Sequence, residues 1–155
     1  MRLSIIAVGR LKVGPELELV ENYVKRLDSA PARLGPLAVR EIDERKDAET
    51  QSRALADLLV KLAPASKIVA LDERGEALTT RAFTDRLASW RDDGIPEAAF
   101  LIGGADGLLP KAREGAHLTL SLGRLTFPHL FARALIAEQL YRAASLLSGH
   151  PYHRD

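Results

Sequence analysis

The feature that most restricts how this chain can fold is a regular alternation of two hydrophobic periodicities. Short apolar runs, too brief for helices, recur between longer stretches whose apolar residues repeat every three or four positions. Residues Leu3 to Val8 are apolar almost without a break, as in a strand covered on both faces of its sheet. LAVREI (37–42), KIVALD (67–72), AAFLIGG (98–104) and HLTLSL (117–122) predict further strands. Pro15 opens a helix carrying Leu17, Val20, Val24 and Leu27 on one face, and Leu55, Leu58, Leu59 and Leu62 form a second stripe between Asp47 and Ala63. A third helix, capped by Thr79 or Thr80, turns Phe83, Leu87 and Trp90 inward, since a hydroxyl at that position accepts from the first exposed amides. DERGEAL reads as a turn, and 109–115 as a short helical piece. The last long helix, roughly Pro128 to Leu147, is apolar on most of its circumference. Alternation of this kind predicts an α/β fold, a mostly parallel sheet with helices on both faces. The 155 residues contain no repeat, linker or low-complexity tract, so the expectation is a single domain over 1–155.

Composition narrows the chemistry. The absence of cysteine excludes disulfides, thiolate nucleophiles and zinc–thiolate sites. No apolar run approaches the length of a bilayer span, and the N-terminus lacks a small-residue cleavage site, so it reads as a strand and the protein as cytoplasmic, with no membrane partner. Net charge is +1, which leaves no global basic footprint for nucleic acid. From Lys111 onward, however, six Lys or Arg face three Asp or Glu. That mild excess suits a local phosphate-binding face and equally a solvated helix surface.

Three stretches can carry chemistry. LIGGADGL (101–108) places two glycines directly after a strand, where open α/β sheets hold ligands and where a missing Cβ lets backbone groups approach one. A tight turn needing positive φ explains the same residues. The spacing fits neither the dinucleotide fingerprint nor a Walker loop, which argues against a nicotinamide oxidoreductase. SLGRLTFPHL (121–130) runs from a strand end into the long helix. Thr126 or a neighbour can cap that helix, Pro128 suits its first turn, and exposed amides there can read the polar edge of a base; an ordinary helix start is the plain alternative. In that helix Glu138 and Arg142 stand four apart, in the order that favours an ion pair. Its wide apolar band suggests burial against a second chain as well as the sheet.

The chain closes on SGHPYHRD (148–155), which holds two of its four histidines. His150 and His153 share a metal-like spacing, but two imidazoles without a nearby carboxylate cluster make no site, and no metal is expected. RNA suits the segment better. Tyr or His stacks on a base, and Arg grips phosphate or paired carbonyls. A charged, disordered tail is the competing reading.

Taken together, AVGRLK, IVALDERG, FLIGGADGL and LTFPHLFARALIAEQLYRAASLLSGHPYHRD resemble, in order and spacing over the whole chain, the RlmH family of SPOUT-class methyltransferases. The resemblance implies S-adenosylmethionine-dependent methylation of N3 of a pseudouridine, position 1915 of 23S rRNA, in the assembled ribosome. It implies a C-terminal trefoil knot, a topology that periodicity does not reveal. By position the cofactor would lie against Leu71, Gly103, Leu122, Gly123, Arg124, Leu125, Thr126 and Phe127. The family is homodimeric, each site lying near the partner chain. His129, Arg142, Tyr152, His153 and Arg154 would form the substrate-side group, with Tyr152 stacking on the base, Arg154 contacting phosphate or base carbonyls, and His153, then His129, accepting the N3 proton. The departures from the family pattern are small: Gly123-Arg124 where relatives carry Ser or Ala and another residue, and Leu130 where Gln is frequent. A knotted methyltransferase acting on tRNA and a noncatalytic ribosome-associated module are the alternatives.

Overall fold

The computed structural model describes residues 1–43, 47–104, 106–108 and 110–152. Among these, the strands β1 (Arg2–Val8), β2 (Leu37–Ile42), β3 (Lys67–Glu76), β4 (Glu97–Ile102) and β5 (Leu118–Leu120) pair in the order β2-β1-β4-β3-β5, every pair parallel. The helices α1 (Pro15–Asp28), α2 (Ala48–Val60), α3 (Thr80–Asp92), α4 (Pro110–Glu114) and α5 (His129–Ser148) connect and follow them. Successive strand residues point to opposite faces, and β1 shows the consequence. Leu3, Ile5 and Ala7 join one core, with Leu27 of α1, Leu87 of α3 and Ile136 of α5, while Ile6 and Val8 join the other, with Leu55 of α2 and Leu108 before α4. Both faces of the sheet are therefore covered, which is why β4 is buried along its whole length. No helix of the described residues is long and apolar enough to cross a membrane.

Two expectations differ in detail. The charged DERGEAL segment is largely strand: β3 runs on to Glu76, with a register shift between Leu71 and Glu76 that carries it across the end of β5. Gly75 makes this possible, because a Cβ there would lie 2.7 Å from the Leu120 backbone. At α5 the N-cap is Pro128 with no side-chain cap bond, so Thr126 does not cap the helix. The hydroxyl cap forms at α3 instead, where Thr79 accepts from the Ala82 amide at 3.1 Å. Most of the apolar band on α5 is buried within its own chain, against α1, α3 and the sheet. Among large apolar side chains, Phe131 of α5 stays 37% exposed, and Leu125 in the loop before the helix 75%.

Candidate active site

The carboxyl ends of β4, β3 and β5 open into a cavity of about 730 Å³. Its floor is backbone. After β4 the chain folds back so that Gly107 N–H donates to the Gly104 carbonyl at 3.0 Å, and a Cβ on Gly103 would overlap the Gly107 backbone. After β5, Gly123 adopts a φ of 134°, open to glycine at little steric cost. Ser121 fastens this turn from both sides: its hydroxyl donates to the Gly123 carbonyl at 2.9 Å and accepts from the Gly123 amide at 3.2 Å. On the β3 side, Asp72 accepts from the Arg74 amide at 3.0 Å and from the Arg113 guanidinium at 3.1 Å. The cavity thus combines apolar walls (Leu71, Leu122, Leu125, Phe127), bare peptide groups and one ion pair.

Of the residues singled out from the sequence, Leu71, Gly103, Leu122, Gly123, Leu125, Thr126, Phe127 and His129 all line this one cavity. Arg124 lies in the same loop, exposed, and does not line it. Arg142 and Tyr152 stand elsewhere. Arg142 is 13 positions beyond His129 on α5, about 20 Å along a helix that rises 1.5 Å per residue. His153 and Arg154 lie outside the described residues.

Around Arg142 a second polar cluster forms, this one between α1, α5 and the tail. Gly149, left-handed at φ 70°, ends α5, and the His150 amide closes back on the Ser145 carbonyl at 2.9 Å. The chain then returns along the helix, so that Tyr152 packs edge-on against Tyr141 at 4.7 Å between centroids, with the Arg142 guanidinium over its ring at 5.0 Å. The Tyr152 hydroxyl donates to Glu138 Oε1 at 3.2 Å and is 3.3 Å from the Tyr23 hydroxyl. With its own proton directed at the carboxylate, Tyr152 accepts from Tyr23. Burial, then the bond with Tyr23 and the charge of Glu138, push the Tyr152 phenol well above its ordinary pKa. Arg142 is likewise raised, chiefly by its hydrogen bond to Glu138. The tail is therefore folded onto its own chain as far as Tyr152.

Sequence reasoning passed over Asp72, Arg113 and Ser121 as site residues. Asp72 and Ser121 carried a usable signal, since each is a polar residue directly at the carboxyl end of a predicted strand. Tyr23 carried none, lying 129 residues from Tyr152. Among the described residues, no three His, Asp or Glu side chains gather as a metal site.

A family described as predicted SPOUT methyltransferase matches residues 1–153. The chain is 49% identical over 159 residues to the ribosomal RNA large subunit methyltransferase H of Rhodopseudomonas palustris (strain BisA53), covering 99% of each. It is 48% identical over 157 residues to the protein of the same name from Cereibacter sphaeroides (strain ATCC 17029 / ATH 2.4.9), again over 99% of each. Among solved structures it resembles a probable methylase family protein from Haemophilus influenzae Rd KW20, with a TM-score of 0.55 and 13% identity over 99% of this chain and 70% of that one. It also resembles a probable methyltransferase from Bordetella pertussis Tohama I, with a TM-score of 0.53 and 18% identity over 92% of this chain and 96% of that one. At such identities these two likenesses are of fold.

Proposed function

The chain belongs to the SPOUT methyltransferase family, and on that premise we propose that it methylates large-subunit ribosomal RNA, using S-adenosylmethionine to modify N3 of a pseudouridine in 23S rRNA. The observation that carries this reading is the single cavity in which both glycine loops meet the end of β3. Its volume of about 730 Å³ falls within the range of small-molecule sites, roughly 300–1,000 Å³. The fit is also chemical: the place a Cβ at Gly103 would fill is backbone-lined, and the walls offer apolar flanks for a planar base beside peptide groups for its polar edge. Leu71, Gly103 and the 122–127 loop would hold the cofactor, and the C-terminal part of the chain would thread the trefoil knot of this class. When bound, S-adenosylmethionine supplies an electrophilic methyl group on a sulfonium.

The protein's own work is then to align the pseudouridine N3 with that methyl, exclude water, and accept the imide proton. His129, at the cavity wall, is one acceptor within reach of the site; His153 is the first candidate by family position. Arg142 would favour the imide anion electrostatically, Tyr152 would stack on the base, and Arg154 would contact phosphate or carbonyls.

Arg142 and Tyr152 do not line their own chain's cavity, which supports a homodimer in which each copy completes the other's site. The exposed Phe131 and Leu125, both between the end of β5 and the first turn of α5, mark the surface that a second copy would cover. A net charge of +1 suits recognition by shape in the assembled ribosome better than capture of naked RNA. The deciding experiment transfers labelled methyl from S-adenosylmethionine to ribosomes lacking the modification and then maps the label. Label at N3 of one pseudouridine in 23S rRNA is expected. Label in tRNA, or no cofactor binding by calorimetry, overturns the reading. In a mixing arm, a cavity-blocked Gly103→Val chain and an Arg142→Ala chain, each inactive alone, should restore transfer when co-assembled; no restoration removes the shared site.

A further inference from the structure

Glu138 is bonded through both carboxylate oxygens. Oε1 accepts from Arg142 Nε at 2.8 Å, from a terminal nitrogen of the same guanidinium at 2.6 Å, and from the Tyr152 hydroxyl at 3.2 Å. Oε2 accepts from Gln139 Nε2 at 2.7 Å, and the Gln139 carbonyl is held in turn by the Thr80 hydroxyl of α3 at 3.1 Å. An ordinary helix-surface ion pair needs only the contact between Glu138 and Arg142. The bond to a tail residue 14 positions on, and the tie through Gln139 to a neighbouring helix, are surplus to that role. They fix the carboxylate itself, so that it can fix other groups.

We propose that Glu138 is a positioning residue for methyl transfer, orienting Arg142 and Tyr152 through one shared oxygen, with Tyr23 as its auxiliary on α1. This rests on the function proposed above, in which both oriented residues face the nucleotide. The physical case is one of side-chain freedom. Arginine and a tail tyrosine sample many rotamers, and each loses catalytic value when it must be ordered at the moment of reaction. Glu138 engages Nε and one terminal nitrogen, which sets the plane of the guanidinium. That guanidinium in turn lies over the Tyr152 ring at 5.0 Å, so the ring and the cation are set as one unit. Tyr23 donates to the same phenol and prevents it from rotating away. As far as Tyr152, the tail is therefore held by its own chain before RNA arrives.

The test uses the full-length protein, ribosomes lacking the modification, and single-turnover methyl transfer. Glu138→Gln preserves shape but removes the charge, and is expected to slow transfer about 10- to 100-fold with S-adenosylmethionine affinity unchanged. Tyr23→Phe removes only a hydroxyl, keeps the packing if the first variant proves unstable, and should slow transfer several-fold. The discriminating measurement is coupling. In a Tyr152→Phe background, which keeps the ring and residual transfer, Tyr23→Phe should have no further effect and Glu138→Gln a smaller effect than alone, because the hydroxyl they hold is gone. Additive losses overturn the proposal. A second readout does not depend on activity: amide hydrogen exchange at 149–152 should quicken in Glu138→Gln. If the unmodified protein fails to methylate ribosomes, the functional reading falls, and this exchange still decides the clamp; unchanged exchange overturns it.

Discussion

A β-carbon on Gly103 would overlap the carbonyl group of Gly107, four residues further along the chain. The turn after β4 is thus closed backbone against backbone, and the cavity gains a wall of peptide groups that no side chain shields. Gly75 likewise lies against the Leu120 backbone, where β3 crosses the end of β5. Backbone meets backbone without an intervening side chain at both places.

Gly103→Ala is accordingly expected to reshape the loop. With backbone on the receiving side, nothing flexible can yield. S-adenosylmethionine binding measured by calorimetry should fall by about two orders of magnitude or more, a loss of roughly 3 kcal/mol or more, together with a lowered melting temperature. Gly104→Ala is the control, since its nearest neighbour is the Val8 side chain at 3.1 Å, which can shift. It should bind within about tenfold of the unmodified protein.

Ser121→Ala removes both hydrogen bonds that hold the Gly123 turn and leaves the cavity otherwise intact. Losing two partly exposed bonds costs about 1–2 kcal/mol, felt as loop disorder. The expected signature is a KM for S-adenosylmethionine raised about tenfold, with kcat changed much less. A kcat loss at unchanged KM contradicts this account.

Much of this site was legible because local rules govern it. A buried strand followed by Gly-Gly marks a sheet end, and a second strand end running through Gly123 to a proline marks another; their meeting in one cavity follows once β3, β4 and β5 are neighbours. LAVREI was readable as β2 from its pattern of residue types, although burial there does not alternate: Leu37 and Ile42 are buried in opposite cores and the four residues between them are partly or fully exposed. DERGEAL was not readable as strand because no apolar pattern holds it. Its pairing depends on the Ser121 amide reaching the Glu76 carbonyl at 3.0 Å, a contact between segments whose proximity only the fold creates. The same limit hid the Tyr23–Tyr152 contact. The apolar circumference of α5 suggested a partner chain, yet α1 and α3 cover most of it, because periodicity reports that a face is buried and is silent on what buries it.

The Tyr152 phenol provides a test through pH. Its pKa is raised in the folded chain, first by burial, so above about pH 10, the ordinary tyrosine value, the native state keeps a proton that the unfolded chain releases. Stability contributed by this group is complete below that pH and declines as pH rises toward the folded value. Denaturant unfolding at pH 9 and pH 11 should therefore show a steeper loss for the unmodified protein than for Tyr152→Phe. Equal slopes contradict the buried, Glu138-facing phenol.

Arg133 anchors the amino-terminal half of α5 to the sheet. Its side chain is fully buried, and it donates to Glu41 Oε1 and to the Val8 and Gly9 carbonyls, each at 2.8 Å. Glu41 Oε1 also accepts the Leu11 amide at 2.8 Å, so one carboxylate secures both the helix and the loop after β1. Arg133→Met keeps the volume but strands two carbonyls, at about 1–3 kcal/mol each. Glu41→Gln keeps an acceptor and removes the negative charge beside a buried guanidinium, a change of about 3–5 kcal/mol in comparable pairs. Because the two variants damage one network, the double variant should lose clearly less than the sum of the single losses in urea unfolding. Strict additivity would mean that Arg133 and Glu41 stabilise the fold independently, and that no shared network ties the helix bearing His129 and Glu138 to the sheet.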